Sequence, residues 1–125
     1  MKKILILLFS ILLLSSPSVF ADDIQYCNLD THVKFRDGNW ENLDPRKFTL
    51  ITKDDWIQVI NLTAEQDWGN FIITKNTKEY INAFFESYDA NDSWIKILAY
   101  NKVSGYTKLI SVSPSGLTIH LGLCL

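Results

Sequence analysis

Two cysteines, two histidines, three prolines and five glycines in 125 residues leave few of the usual chemistries open. Cys27 and Cys124 lie at opposite ends of the chain, so the close Cys-x-x-Cys spacing of a redox pair is missing. His32 and His120 form neither His-x-His nor His-x-x-x-His, and a metal would need a third ligand such as Asp30 or Asp37; no metal site is expected. There is no Gly-x-Ser-x-Gly elbow and no glycine-rich phosphate loop, and the serines lie in turns or beside lysines without an evident base. The paired carboxylates Asp54 and Asp55 fall at a turn tip, where solvent leaves them ordinary acids. No catalytic residue and no cofactor is assigned on this reading, and the chain reads as a non-enzyme. The rival is a small hydrolase assembled from His32 or His120 with nearby acids, since active sites also form from residues scattered in sequence.

A long apolar run is likewise missing. Ile4 to Leu14 is almost unbroken Ile, Leu and Phe, but eleven residues reach only about half of the ~30 Å hydrocarbon core at about 1.5 Å per residue. Behind the basic start Met1-Lys2-Lys3 and ahead of Val19-Phe20-Ala21, that run reads as a secretory signal over residues 1–21, cut between Ala21 and Asp22. Residues 22–125 are then expected to form one exported domain, periplasmic or secreted in a bacterium, with no membrane span after cleavage. Lys2 and Lys3 leave with the signal, so ten basic residues face fourteen acidic ones, a net charge of −4. The basic residues are scattered, which argues against nucleic acid, whose affinity rests on a basic patch.

What is present is β pattern. Thr31, Val33 and Phe35 alternate with His32, Lys34 and Arg36, and Asp37-Gly38 is a hairpin turn leading to Asn39–Leu43. Asp44-Pro45 breaks the run, Phe48–Lys53 and Trp56–Asn61 form the next two strands, 62–70 reads as a loop or single helical turn, and Phe71–Lys75 follows. Two readings stay open at 77–88. Asn76 and Glu79 fit a capping box ahead of a helix, whereas the aromatic content and the turn residues 89–92 fit a hairpin, and a strand is the preferred assignment. In the last third, Ile95, Ile97 and Ala99 alternate with Trp94, Lys96, Leu98 and Tyr100, and Leu117, Ile119, Leu121 and Leu123 share one face of the final strand. The sum is an all-β fold: a small antiparallel meander of seven to eight strands forming a barrel or sandwich.

In an exported chain the two cysteines read as one disulfide, Cys27 with Cys124, which contributes at most ~4 to 5 kcal/mol by constraining the unfolded chain. Placing these cysteines opposite each other on antiparallel first and last strands sends Val33 and Phe35 to the opposite face from Leu117 and Ile119. A bulge is therefore expected at Gly122 or near Asn28 to Asp30, and it would also bring His32 towards His120. Of the four tryptophans, Trp40, Trp56 and Trp94 are expected in the core, and Trp68, beside Gly69 in the predicted loop, is the candidate for contact with a partner.

Asn101-Lys102-Val103-Ser104-Gly105, with the ending Gly122-Leu123-Cys124 and the early Tyr26-Cys27, resembles a group of small secreted bacterial proteins of unknown function. Those carry an Asn-Arg-x-Thr/Ser-Gly turn and finish in Gly-Thr-Cys, so Lys102 and Leu123 depart from the pattern, and the resemblance implies a β domain without an assigned activity. Ser104-Gly105-Tyr106-Thr107-Lys108 is similar to the Ser-Gly-x-Arg/Lys-Tyr loop of periplasmic C-type lysozyme inhibitors, with its last residues in a different order. That similarity implies a lysozyme-inhibitor role, and an inhibitor or immunity-type factor also fits the signal, the terminal disulfide and the missing catalytic constellation. The function expected from sequence is binding of a protein partner or small ligand, with those inhibitory roles and the hydrolase as alternatives.

Overall fold

The computed structural model describes residues 23–88 and 93–125; the expected signal at 1–21 and the turn at 89–92 lie outside them. Nine antiparallel strands follow one another: β1 (Asp23–Arg36), β2 (Asn39–Asn42), β3 (Arg46–Thr52), β4 (Trp56–Asn61), β5 (Gln66–Asn76), β6 (Tyr80–Tyr88), β7 (Ser93–Asn101), β8 (Tyr106–Ser113) and β9 (Gly116–Cys124). Among the described residues there is no helix, hence none long and apolar enough to cross a membrane. Each strand from β3 onward pairs with the next, and β9 returns to β1, so eight strands close into a barrel. The fourteen-residue β1 makes this possible. One of its edges pairs with β3 over Asp23–Leu29 and then with the extra strand β2 over Val33–Arg36, while the other edge takes β9.

Closure requires the sheet to bend, and three register shifts supply the bends. On β1, Asn28 faces Leu123 and Thr31 faces Leu121, leaving Leu29 and Asp30 against Gly122 alone. This is the irregularity the cysteine register demands. Gly122 is required because a Cβ there would strike the Asn28 carbonyl oxygen and the Leu29 backbone. The shift restores Val33 to Ile119 and Phe35 to Leu117, and it sets His32 directly opposite His120. A second shift lies between Gln58 and Ile60 of β4, where Trp68 and Gly69 of β5 stand against Val59. The third lies between Ile73 and Lys75.

One local expectation needs correcting, and one alternative falls away. Residues 62–70 are not a loop. Asn61 Oδ1 accepts the Ala64 amide at 3.1 Å and Glu65 turns with φ +53°, so the chain reverses within four residues and Trp68 already lies on β5. At 77–88 the strand reading holds, and the supposed capping box is a hairpin turn. There Thr77 Oγ1 accepts the amides of Glu79 and Tyr80, and Asn76 is the last residue of β5.

Inside the barrel, Phe48, Leu50, Ile57, Val59, Phe71, Leu98 and Leu109 are buried to 2 % exposure or less and fill its middle. The disulfide Cys27–Cys124 packs against this core, across the seam where β1 meets β9. Tyr26 and Leu125 exchange both backbone hydrogen bonds, at 3.0 and 2.9 Å, which makes the adjacent cysteines a non-hydrogen-bonded pair with close side chains. Thr107 Oγ1 lies 2.9 Å from Cys124 Sγ.

At one end of the barrel the polarity of the strands is reversed. The apolar faces identified from alternation point outward: Ile72, Phe84, Ile97, Ile110, Ile119 and Val33 are directly opposed across five successive pairings, and Ile97 is 45 % exposed. The row beside it, Phe85, Lys96, Ser111, Thr118 and Lys34, points inward. The tryptophans follow the same logic. None is fully buried; Trp40 is 59 % exposed and packs on Phe35 with ring centres 5.0 Å apart, and Trp94 stands at the inner rim.

Candidate functional site

The inward polar row encloses a cavity of about 460 Å³ above the apolar core. Beneath it runs the next inward row, Leu98, Leu109, His120 and His32, again one directly opposed residue from each successive strand, of which His120 and His32 line the cavity. Its walls are Lys34 from β1, Arg46 from β3, Asn61 from β4, Trp68 from β5, Trp94 and Lys96 from β7, Ser111 from β8 and Thr118 from β9. Leu43, Ala64 and Gln66 complete the rim, and the last two are exposed. None of these lining residues is acidic.

The histidines sit where the β1 bulge puts them, with ring centres 4.1 Å apart and planes inclined by 23°. His32 Nδ1 lies 2.8 Å from the Asp44 carbonyl oxygen, which only accepts, so that nitrogen carries the proton. Burial holds the His32 pKa below the ordinary histidine value; the Asp44 bond opposes this, and the charges of Arg46 and Lys34 add to the lowering. His120 is 1 % exposed, and burial, followed by the charges on His32 and Arg46, lowers its pKa to about 3. Its Nδ1 is buried and has no hydrogen-bond partner, and the same is true of Ser111 Oγ. Both rings are therefore neutral at neutral pH.

Trp68 meets this cavity from inside the barrel. The bulge at Gly69, held at φ +100° with its amide on Asp67 Oδ1 at 2.9 Å, lets Trp68 and Phe71 both turn inward although they are three residues apart. A Cβ at Gly69 would come within 2.6 Å of the Phe85 ring. The indole stands edge-on to Phe48, with ring centres 5.0 Å apart, and to His120 at 5.6 Å. The ammonium of Lys96 lies 4.4 Å from the Trp68 ring centre, 5.4 Å from Phe85 and 5.7 Å from Trp94. These faces attract the cation, and burial lowers its pKa.

The other residues singled out from sequence lie elsewhere. Asp54 and Asp55 are exposed at the β3–β4 turn, and the 101–105 turn is at the opposite end of the barrel. In that turn Asn101 Oδ1 accepts the amides of Val103 and Ser104 at 2.9 and 3.0 Å, so the motif's polar groups hold the turn itself. Among the described residues no group of three metal-ligating side chains forms around the histidines. Lys34, Arg46, Lys96 and Ser111 were not singled out from sequence; the signal that finds them is their shared inward parity once the β1 bulge is placed. Compared with protein-family models, characterised proteins and solved structures, the chain has no significant match in any of the three.

Proposed function

We propose that the chain is an exported, non-catalytic β-barrel protein that binds a small molecule in the cup at this end. The observation that carries the reading is the reversal of polarity: for one row around the barrel, polar side chains face inward and apolar ones face solvent. A barrel folding only to bury apolar surface would place Ile97, Ile110 and Ile119 inside, each worth about 1.5–3 kcal/mol on full burial. An eight-stranded barrel has room for one small ligand, and about 460 Å³ lies within the usual range of ligand pockets. The disulfide is consistent with an oxidising compartment, in keeping with the signal-like start. Among the described residues no carboxylate lines the cavity beside the histidines, which counts against the hydrolase alternative, and an inhibitor using the 101–105 turn would have to recruit side chains that already hold the turn.

The test is a thermal-shift screen of the folded protein against a mixed library of neutral, cationic and anionic small molecules. A hit is followed by backbone amide NMR shifts. Binding in the cup moves Ser111, Thr118 and His120 and leaves the 101–105 turn in place. A library without a single stabilising compound, or hits whose shifts cluster outside the cup, removes the proposal.

A further inference from the structure

Among the described residues, no acid lines the cup to match the positive charge it carries. Lys34, Arg46 and Lys96 reach the cavity from three different strands, and among the described residues none of them makes a salt bridge. Glu41, opposite Lys34 on β2, and Asp44, beside His32, do not line the cavity. Lys96 rests on aromatic faces instead. This charge is concentrated inside a protein whose formal net charge is −2, and low-dielectric walls focus such a field into the cleft.

Two buried polar atoms sharpen the picture. Ser111 Oγ and His120 Nδ1 belong to residues 2 % and 1 % exposed, both line the cavity, and neither has a hydrogen-bond partner. An unpaired buried polar group costs about 1–3 kcal/mol, so groups of this kind are kept where something satisfies them. A serine hydroxyl donates to an oxyanion, as does an imidazole nitrogen in the tautomer that protonates it, whereas His32 already donates its Nδ1 proton to Asp44.

We propose that the cup takes a small organic anion, a carboxylate or phosphate ester, whose acid group is drawn in by Lys34, Arg46 and Lys96, with the buried Ser111 hydroxyl and His120 ring turning to hydrogen-bond it. The body of the ligand is flat and largely apolar, because the wall beside the cations includes Trp68, Trp94 and Leu43, with Asn61, Gln66 and Thr118 as its neutral polar part. The inference rests on the reading of the cup as a ligand site and narrows it to one charge class.

Isothermal titration calorimetry with matched probes decides it: benzoate and phenyl phosphate against benzamide, which has the shape of benzoate without its charge. The acids are expected to bind, more weakly as salt is raised, and benzamide to bind at least about tenfold more weakly. Lys96→Met keeps the apolar stem and removes only the charge, and Ser111→Ala removes one donor. Each is expected to cost the acids about tenfold while a circular-dichroism melt shows the fold intact. Benzamide binding as tightly as benzoate overturns the charge class and leaves the ligand-site reading standing. Acids that bind equally well to both variants overturn the placement of the acid group. If neither acid binds the folded wild-type protein the inference falls, and the mixed-library screen then separates a different ligand class from no ligand at all.

Discussion

His120 is a neutral imidazole in a place where a leucine would be cheaper, and its protonation ties the cup to stability. The folded pKa is lowered to about 3 by burial and by the charges on His32 and Arg46, whereas an exposed histidine titrates near 6.5. Between those values the unfolded chain binds a proton that the folded chain does not, so stability rises with pH across the window and is lost as pH falls from about 6.5 towards 3. Each unit of pKa is worth about 1.4 kcal/mol, which gives a loss of about 2 kcal/mol from His120 between about pH 6 and pH 4. His120→Phe keeps an apolar ring and removes the titration. In urea unfolding the wild-type protein is expected to lose about 2 kcal/mol more than the variant over that range; parallel losses in the two proteins would sink the assignment. The residues of this site were only partly legible beforehand. The cysteine register exposed the β1 bulge and the approach of His32 to His120, and Trp68 drew attention by its neighbour Gly69. Lys34, Arg46 and Lys96 looked like scattered surface cations because they are far apart in sequence and meet only through the ladder.

At the scale of the strand, period-two alternation revealed that β7, β8 and β9 are strands and that each has two unlike faces, but not which face turns inward. Ordinary strands bury the apolar face; here that rule fails for one row and holds for the next, within the same strand. On β8, Leu109 is fully buried in the barrel core, while Ile110 beside it points outward in a row of isoleucines. Leu109→Ala is therefore expected to cost about 2–5 kcal/mol and Ile110→Thr less than about 1 kcal/mol. Chemical denaturation of the two variants measures the difference, and a large loss at Ile110 would mean that β8 faces the other way. Departures from local rules gather at functional sites, so the row where the rule fails is also the row to suspect of function. The aromatic segment 80–88 was legible as strand for the opposite reason: Tyr80, Phe84 and Phe85 suit a pleated, half-buried surface, and Thr77 serves the turn before it.

On the proposed reading, the whole barrel divides stability and binding between two regions that meet at His120. The middle is closed, apolar and tied across its seam by Cys27–Cys124; the cup above it carries cations without a salt bridge among the described residues and buried polar atoms without hydrogen-bond partners, both of which oppose folding. Changes in the two regions should therefore move stability and affinity independently. Cys27→Ala with Cys124→Ala frees the unfolded chain and is expected to lower unfolding free energy by about 2–4 kcal/mol. The β1–β9 ladder beyond the bulge still holds His32, Lys34, Thr118 and His120 in register, so anion affinity should be unchanged in the folded fraction. Lys96→Met acts in the reverse sense. Burial lowers the lysine pKa, meaning that the charge disfavours the fold, and solvent at the rim screens part of that cost, so the variant should gain no more than about 1 kcal/mol in stability. The same change should abolish most of the affinity for benzoate. Measuring melting temperature and benzoate affinity on both variants gives a crossed pattern if core and cup are separate; a Lys96→Met protein that is less stable and binds as before would show that the lysine holds the aromatic cluster together rather than serving a ligand.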